Sequence, residues 1–250
     1  MNTEFSSGSG DISRSLELLW GLQDKPTRGP KPSLTLDRIV DAAISVADAE
    51  GLEALSMRRV AVELGVGAMS LYRYVPGKAE LLDVMLDRVV RPRDHLLDGE
   101  LLGWREALEI NARGIWELCL AHPWYPLVDQ TRAMLGPNNI AALESVLRHF
   151  HGVPLSDQEK VMAVVAVESI VTSAARAHLS AVNAEQRTGV SEQDFWAAQE
   201  PLLVRAMESG RYPTLAQLSE DTFTFDIEQA RDFGLTAVFD GLEKLIASRQ

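Results

Sequence analysis

Two short helical patterns joined by a glycine turn carry the side chains best suited to contact DNA. Residues 56–64 and 68–75 are predicted as helices on either side of the turn 65–67. Two short helices joined by a glycine turn are typical of the helix-turn-helix, whose second helix enters the major groove. Small residues allow the backbone of that second helix to approach the bases, and they are Gly67, Ala68 and Ser70.

The side chains of this segment divide by what they can contact. Ser70 can hydrogen-bond a base edge or a phosphate, and Met69 can touch a thymine methyl group. Arg58 can reach a phosphate or a guanine, and the helix N-terminus near Ser56 presents backbone amides to a phosphate. Phosphate contacts, which fix register rather than sequence, are predicted for Tyr72, Tyr74 and Lys78.

A basic, proline-rich arm precedes this segment. Residues 24–33 contain three prolines and three basic residues, a composition that favours an extended chain. Its Arg28 and Lys31 could enter a minor groove beside the recognition helix. A flexible, solvated linker is the alternative interpretation.

Another set of residues, later in the chain, could line a cavity for a small organic ligand. Aromatic and methionine walls with a few polar groups suit such ligands, although the same residues would equally form an ordinary core. The candidates are Trp116, His122, Trp124, Tyr125, Met134, Asn139, Met162, Glu168 and Arg176.

The residue patterns that mark enzymes and metal sites are missing. The histidines are scattered, and the chain contains no HExxH, GxSxG, GxGxxG or GxxxxGK[ST] motif. Its one cysteine, Cys119, excludes an internal disulfide and a cysteine-rich zinc site, and its apolar neighbours predict a buried thiol. We therefore expect no catalysis, no cofactor and no metal.

The charge of the chain is unevenly distributed. The net charge is −12 overall, but residues 31–93 hold nine basic and nine acidic residues, and residues 94–250 carry a net −11. A neutral segment can still meet phosphate with a basic face, because the net charge describes only the whole molecule. With no cationic-then-apolar leader and no long uninterrupted apolar run, we expect a cytoplasmic protein that spans no membrane.

Helical periodicity runs through the chain and predicts an all-α fold. We expect a disordered start at 1–10, a short helix at 11–22 and a four-helix unit at 35–91 with caps at Thr35 and Ser56. Later helices are expected at 104–121, 137–150, 156–180 and 226–248, with a short helix and a mobile loop at 183–224. The expected division is an N-terminal extension at 1–32, a helix-turn-helix domain at 33–91 and a ligand-binding and dimerisation domain at 92–250.

The last predicted helix has a stripe of small residues beside larger apolar ones. Small residues allow a second helix to approach closely. The stripe fits an ordinary core helix, or a subunit interface that forms a four-helix bundle with residues 161–179 of two chains. The predicted interface consists of Ala230, Gly234, Ala237, Val238, Gly241 and Leu245.

The helix-turn-helix segment resembles the TetR family of bacterial transcriptional regulators. The most specific signals are the Leu-Tyr-Arg-Tyr-Val run at 71–75 and Lys78, and the resemblance extends over 35–91. The remainder, from the Trp-Arg-Glu-Ala run at 104–107 to the Asp-Phe-Gly-Leu run at 232–235, is similar to the C-terminal domain of the tetracycline repressor. The resemblance implies an all-helical homodimer with DNA-binding heads on a ligand-binding body.

The resemblance also implies a function and its residues. A member of this family would be a ligand-responsive regulator, in the simplest case a repressor that binds a palindromic operator and is released by a small molecule. Operator contacts would then fall on Arg58, Ser70, Tyr72, Tyr74 and Lys78, with Ala68 and Met69 at base-reading positions.

Three points stay open beside this resemblance. Residues 126–130 lack the metal-binding histidine of the tetracycline repressor, so neither tetracycline nor a metal is expected. The alternative function is a helical ligand-binding or dimerisation protein without sequence-specific DNA binding. The effector, the operator, the regulated genes and the direction of regulation do not follow from the chain.

Overall fold

The described residues of the computed structural model, 5–22, 34–90, 100–219 and 222–249, contain α-helices, short 3-10 turns and an isolated β-bridge. This confirms the all-α expectation. In chain order the helices are α1 (Ile12–Leu19), α2 (Leu36–Glu50), α3 (Met57–Glu63), α4 (Ala68–Leu71), α5 (Lys78–Val89), α6 (Trp104–Ala121), α7 (Pro137–Leu147), α8 (Asp157–Thr188), α9 (Glu192–Glu208) and α10 (Ile227–Ala247).

Polar side chains start several helices where the sequence predicts them. The Thr35 hydroxyl accepts a hydrogen bond from the Arg38 backbone at 3.2 Å, and the Ser56 hydroxyl accepts one from the Arg59 backbone at 3.1 Å. Asp226 forms a reciprocal capping box at the start of α10. Each cap satisfies an N–H group that the first helical turn leaves without a partner.

The head, which we define as residues 34–90, has one apolar core, and α1 of the N-terminal segment packs into it. Residues of α1 to α5 meet there, including Leu18, Ile39, Leu71 and Met85. Trp124, which follows α6 in sequence, is buried in the same cluster. The head core therefore includes a side chain from the part of the chain that follows α6.

The body, residues 100–249, has a separate core formed by α6, α7, α8 and α10. Val164, Val167 and Val171 place α8 at its centre, against α6 and α10. By length and composition alone, α8 is apolar enough to cross a membrane. Its place in this core accounts for only part of that composition, because Met162 and Val165 of the same helix are 51% and 52% exposed.

The recognition helix is shorter than predicted. The α-helical part of 68–75 ends at Leu71, and a turn follows in which the backbone N–H groups of Tyr74 and Val75 both donate to the Leu71 carbonyl, at 2.8 and 3.0 Å. The apolar positions Leu71 and Val75 fit either backbone, since both are buried. Periodicity could not locate this boundary.

The segment after residue 180 is more helical than predicted. Helix α8 continues to Thr188, and α9 runs for 17 residues with Pro201 inside it. Turns and a 3-10 helix at 209–219 agree with the predicted loop, but the prediction of a short helix was wrong. None of the described side chains of α9 is buried in the chain. Its apolar side chains are exposed, among them Phe195, Trp196 and Leu202.

Two regions of the N-terminus differ in status. The expected disorder at 1–10 is wrong for residues 5–10, because buried Asp83 on α5 accepts hydrogen bonds from Ser7 and Gly8. Residues 1–4 and the arm at 23–33, with Arg28 and Lys31, lie outside the described residues.

Candidate nucleic-acid interface and ligand cavity

The helix-turn-helix is held by a few buried side chains and leaves its outer surface free. Met57, Val60 and Ala61 of α3 and Leu71 of α4 point into the head core. Between the helices Gly65 has a φ of 66°, a left-handed conformation that favours glycine. The turn therefore fixes α4 across α3 while one side of α4 stays at the surface.

The predicted base-reading residues and the predicted phosphate contact Tyr72 lie on or beside that surface. Met69 is 77% exposed and Tyr72 is 47% exposed. Ser70 and Ala68 are half-buried beside them. Gly67 has an ordinary φ of −75°, and a Cβ there would meet no atom within 4 Å. The fold itself therefore does not require a glycine at this position.

The basic residues around α4 differ in how free they are. Arg58 and Arg73 are exposed and make no ion pair with any described residue. Arg59 is held by Glu50 at 2.6 Å and Glu63 at 2.9 Å, and the hydrogen bond to Glu50 is the main reason that the pKa of Arg59 is raised. Of these three, Arg58 and Arg73 are the ones available to phosphate.

The remaining predicted phosphate contacts already have intramolecular roles. Ser56 caps α3 with its hydroxyl, although it is exposed. Lys78 donates to the Leu52 carbonyl at 3.3 Å and lies over the Phe5 ring at 4.5 Å from its centroid. Tyr74 is half-buried against the head core. A phosphate contact by Lys78 would compete with its contacts to Leu52 and Phe5.

A cavity of about 1360 Å³ lies where head and body meet. Its walls come from α2, α5, α6, α7, α8 and the segment between α6 and α7. The volume exceeds that of ordinary drug-sized sites. Five of the predicted ligand-contacting residues line it, namely His122, Tyr125, Asn139, Glu168 and Arg176.

The other four predicted cavity residues lie elsewhere, and for them the prediction was wrong. Trp116 packs on the body core under the guanidinium of Arg231, which is 4.2 Å from its ring centroid. Trp124 is buried in the head core, and Met134 packs against that core. Met162 is 51% exposed on α8 and is not among the wall residues.

Several wall residues were missed by sequence reasoning, including Asn111, Gln130 and Thr131. Asn111, Ile115, Leu118 and His122 recur at the spacing of one helical face and all line the cavity. An asparagine on this otherwise apolar face was the available signal. Its side-chain nitrogen is buried and has no hydrogen-bond partner among the described residues.

The charged and polar groups of the cavity have distinct environments. Burial raises the pKa of the Glu168 carboxyl, even though its side chain is open to the water-accessible space of the cavity. Arg176 donates to the Pro126 carbonyl at 2.8 Å. Burial raises the pKa of Cys119 to about 12, which keeps this neighbouring thiol protonated and unreactive.

One wall residue also contacts the head. His122 Nδ1 lies 2.8 Å from the carboxylate of Asp48 on α2, and Trp124 Nε1 donates to the same oxygen at 2.7 Å. A ligand against His122 would therefore touch a residue bonded to the head. Among the described residues no three histidine, cysteine, aspartate or glutamate side chains are grouped as metal ligands.

Comparison with other proteins identifies the chain. The C-terminal domain family described as tetracyclin repressor-like matches residues 99–246, and the family of bacterial regulatory proteins called tetR matches residues 39–85. The HTH-type transcriptional repressor DrrR1 of Streptomyces coeruleorubidus is 54% identical over 98% of this chain and 90% of its own length. The chain belongs to the TetR family.

Solved structures of TetR-family proteins have the same fold. ActR of Streptomyces coelicolor in complex with (S)-DNPA is 29% identical over 85% of this chain and 98% of its own, with a TM-score of 0.68. ActR in complex with actinorhodin is 28% identical over 84% and 95%, with a TM-score of 0.67. The tetracycline repressor of class E from Escherichia coli is 26% identical over 83% of this chain and 93% of its own length.

The predicted dimer face of this TetR-family chain is partly open and partly covered. Ala230, Ala237 and Gly241 are exposed on α10, and a Cβ at Gly241 would meet no atom within 4 Å. Gly234 instead faces Ile170 of the same chain, and Leu245 packs on the body core. Val238 is half-buried.

Replacing Asn111 should show the cost of its unpaired amide. We expect Asn111→Leu, which keeps the branching at Cγ but removes the polar atoms, to raise the free energy of unfolding by about 1–2 kcal/mol, because it removes a buried donor without a partner. Urea denaturation measures the change. Asn183→Leu is the control, since the Asn183 amide donates to Leu179 at 2.8 Å and its loss should give no gain. A destabilised Asn111→Leu would contradict this account.

The Glu168 carboxyl should make stability depend on pH. Because its pKa is raised in the folded chain, ionisation destabilises the fold as pH rises above the unfolded value near 4.5. Glu168→Gln should therefore raise the melting temperature at pH 7.5, and the gain should disappear below about pH 4. Glu144→Gln, at an exposed position of α7, is the control. An equal gain at both pH values would refute the assignment.

Proposed function

We propose that this TetR-family regulator is a repressor that binds a palindromic operator as a homodimer and releases it when a small molecule fills the cavity. The observation that carries the DNA-binding part is the exposed surface formed by Met69 of α4 and by Tyr72 and Arg73 of the turn that follows it. A relative that spans nearly the whole chain is named a repressor, which supports the direction of regulation.

The homodimer is supported by apolar surface that the chain leaves uncovered. Phe233 is 78% exposed on α10, and α9 exposes Phe195 and Trp196. Apolar side chains that cluster on a surface typically mark a protein contact. A second copy at α10 would cover Ala237 and Gly241 and place two α4 helices on successive major grooves, roughly 34 Å apart.

The position of the cavity supports release of the operator by a bound ligand. Arg88, Val89 and Val90 at the end of α5 form part of its wall, and His122 joins the wall to Asp48 of the head. Suppose that a ligand binds more tightly to a dimer whose two heads do not match the spacing of the operator half-sites. The ligand then lowers operator affinity, by at most the ratio of its affinities for the mismatched and the matched dimer. The alternative without DNA binding gives no role to the exposed α4.

The effector should be large and carry several hydrogen-bonding groups on an apolar frame. Apolar walls such as Leu118, Leu143 and Val164 alternate with Asn111, Gln130 and Thr172. ActR has been crystallised with actinorhodin and with (S)-DNPA. We therefore propose an effector of similar size and take actinorhodin as the first compound to test.

The protein would act in the cytoplasm and by binding alone. Binding of DNA and its release by a ligand need no covalent bond to be made or broken. The proposal therefore assigns no catalytic role to any residue, including the histidines.

Tyr72 should be needed for operator binding. An operator selected in vitro with the wild-type protein should not be retained by Tyr72→Ala in a gel-shift assay, because the ring and hydroxyl contact the DNA backbone. Tyr212→Ala is a matched control in the body, since Tyr212 is also 47% exposed.

A second measurement separates loss of DNA contact from failed dimer assembly. Tyr72→Ala should elute as the wild-type dimer in size-exclusion chromatography. Retention of the operator by Tyr72→Ala would refute the placement of α4 on DNA.

If about eight phosphates are contacted, the slope of log affinity against log salt for the wild type should be near −7.

A charge on the small-residue stripe of α10 should break the dimer. Ala237→Arg would bury an unpaired guanidinium between the chains, a change that costs several kcal/mol. Light scattering should then give a mass close to the 27.5 kDa of one chain. Thr236→Arg, one residue away and exposed on another side of α10, should stay dimeric. A dimeric Ala237→Arg variant would place the interface elsewhere.

A further inference from the structure

The N-terminal segment 5–22 connects the head to the wall of the cavity. On the body side, the Asp129 N–H donates to the Phe5 carbonyl and the Ser7 N–H donates to the Asp129 carbonyl, both at 2.9 Å. Further along, Trp20 Nε1 donates to the Leu135 carbonyl at 3.2 Å. These bonds attach both ends of the segment to residues 129–135.

The same segment is bound to α5 of the head. Asp83 accepts hydrogen bonds from the Ser7 hydroxyl at 3.0 Å, the Gly8 N–H at 2.8 Å and the Ser15 hydroxyl at 2.7 Å. Glu80, one turn earlier, accepts the Asp11 N–H at 2.9 Å. Asp83 is 1% exposed, so these donors replace the water that its carboxylate would otherwise need.

Ser7 lies at the centre of this arrangement. Its buried hydroxyl donates to Asp83 on α5 and accepts from the Met134 N–H at 3.3 Å. One side-chain oxygen thus joins the head directly to the loop between α6 and α7. Movement of that loop changes the donor set of a buried carboxylate on α5.

The loop has the cavity on its other side. Asp129, Gln130, Thr131 and Ala133 all line the cavity. A ligand that displaces these residues therefore displaces the backbone groups to which residues 5–7 are bonded. The segment has contacts at both places that a signal must join.

We propose that residues 5–22 are a strap that transmits displacement of the cavity loop 129–134 to α5 and so to the position of the DNA-binding head. The strap rests on the proposed function for its biological purpose, but the transmission can be measured without DNA. It adds a second connection beside the contact of His122 with Asp48.

The test perturbs the loop in two backgrounds. Ala133→Trp places a bulky ring in the cavity wall, and Arg132→Trp adds the same ring at an exposed neighbour that is not a wall residue. The strap is loosened by Ser7→Ala with Ser15→Ala. The matched control is Ser9→Ala with Ser13→Ala, which removes two exposed hydroxyls from the same segment.

Hydrogen exchange of the full-length dimer is the first measurement. With the strap intact or in the control background, Ala133→Trp should change exchange of the α5 amides by about fivefold or more. With Ser7→Ala and Ser15→Ala, the effect of Ala133→Trp on α5 should disappear. Arg132→Trp should have little effect in any background.

Operator affinity is the second measurement. Ala133→Trp should shift the operator Kd in the wild-type and control backgrounds, and this shift should be lost in the loosened strap. If wild-type protein retains no selected DNA, the proposed function fails, while the exchange experiment still decides the strap. An effect of Ala133→Trp on α5 that persists in the loosened strap, or that is missing when the strap is intact, would overturn the proposal.

Discussion

The buried carboxylates of α5 are the constraint on which the arrangement of head and body depends. Glu80, Asp83 and Asp87 follow one face of this helix and are all buried. A buried carboxylate is tolerated only when hydrogen-bond donors replace water. Asp83 takes its donors from the N-terminal segment, and Asp87 accepts from the backbone N–H and the side-chain amide of Asn139, each at 2.9 Å. Helix α5 cannot shift without loss of these bonds.

Apolar packing alone would leave the joint less well defined. Trp124 enters the head core, but apolar contact is non-directional and a ring can slide between neighbouring side chains. The indole N–H of Trp124 must also find an acceptor, and Asp48 of α2 supplies it at 2.7 Å. The combination of a buried ring and a directed hydrogen bond sets one orientation of the head. The same Asp48 oxygen contacts His122, which lines the cavity, so this oxygen links the head to the cavity wall.

The parts of this structure that could be predicted from the sequence are those with local causes. Thr35, Ser56 and Asp226 cap helices through atoms three residues away, and the recognition segment has a compact pattern. The strap could not be predicted, because Ser7 and Asp83 are 76 residues apart and nothing in either local sequence pairs them. Cavity residues were predicted in part, since the sequence does not distinguish a tryptophan of the core from one that lines a wall.

The distribution of charge explains why a protein of net −12 can still approach DNA at one place. Residues 94–250 carry nearly all of the excess acid, whereas the segment 31–93 is neutral. Under the proposed function, the body would repel phosphates, and the exposed Arg58 and Arg73 of the head would meet them. Arg59, already paired with Glu50 and Glu63, adds little there. In that arrangement, repulsion by the body would orient the approach of DNA, and the small residues at the start of α4 would determine how closely the head can dock.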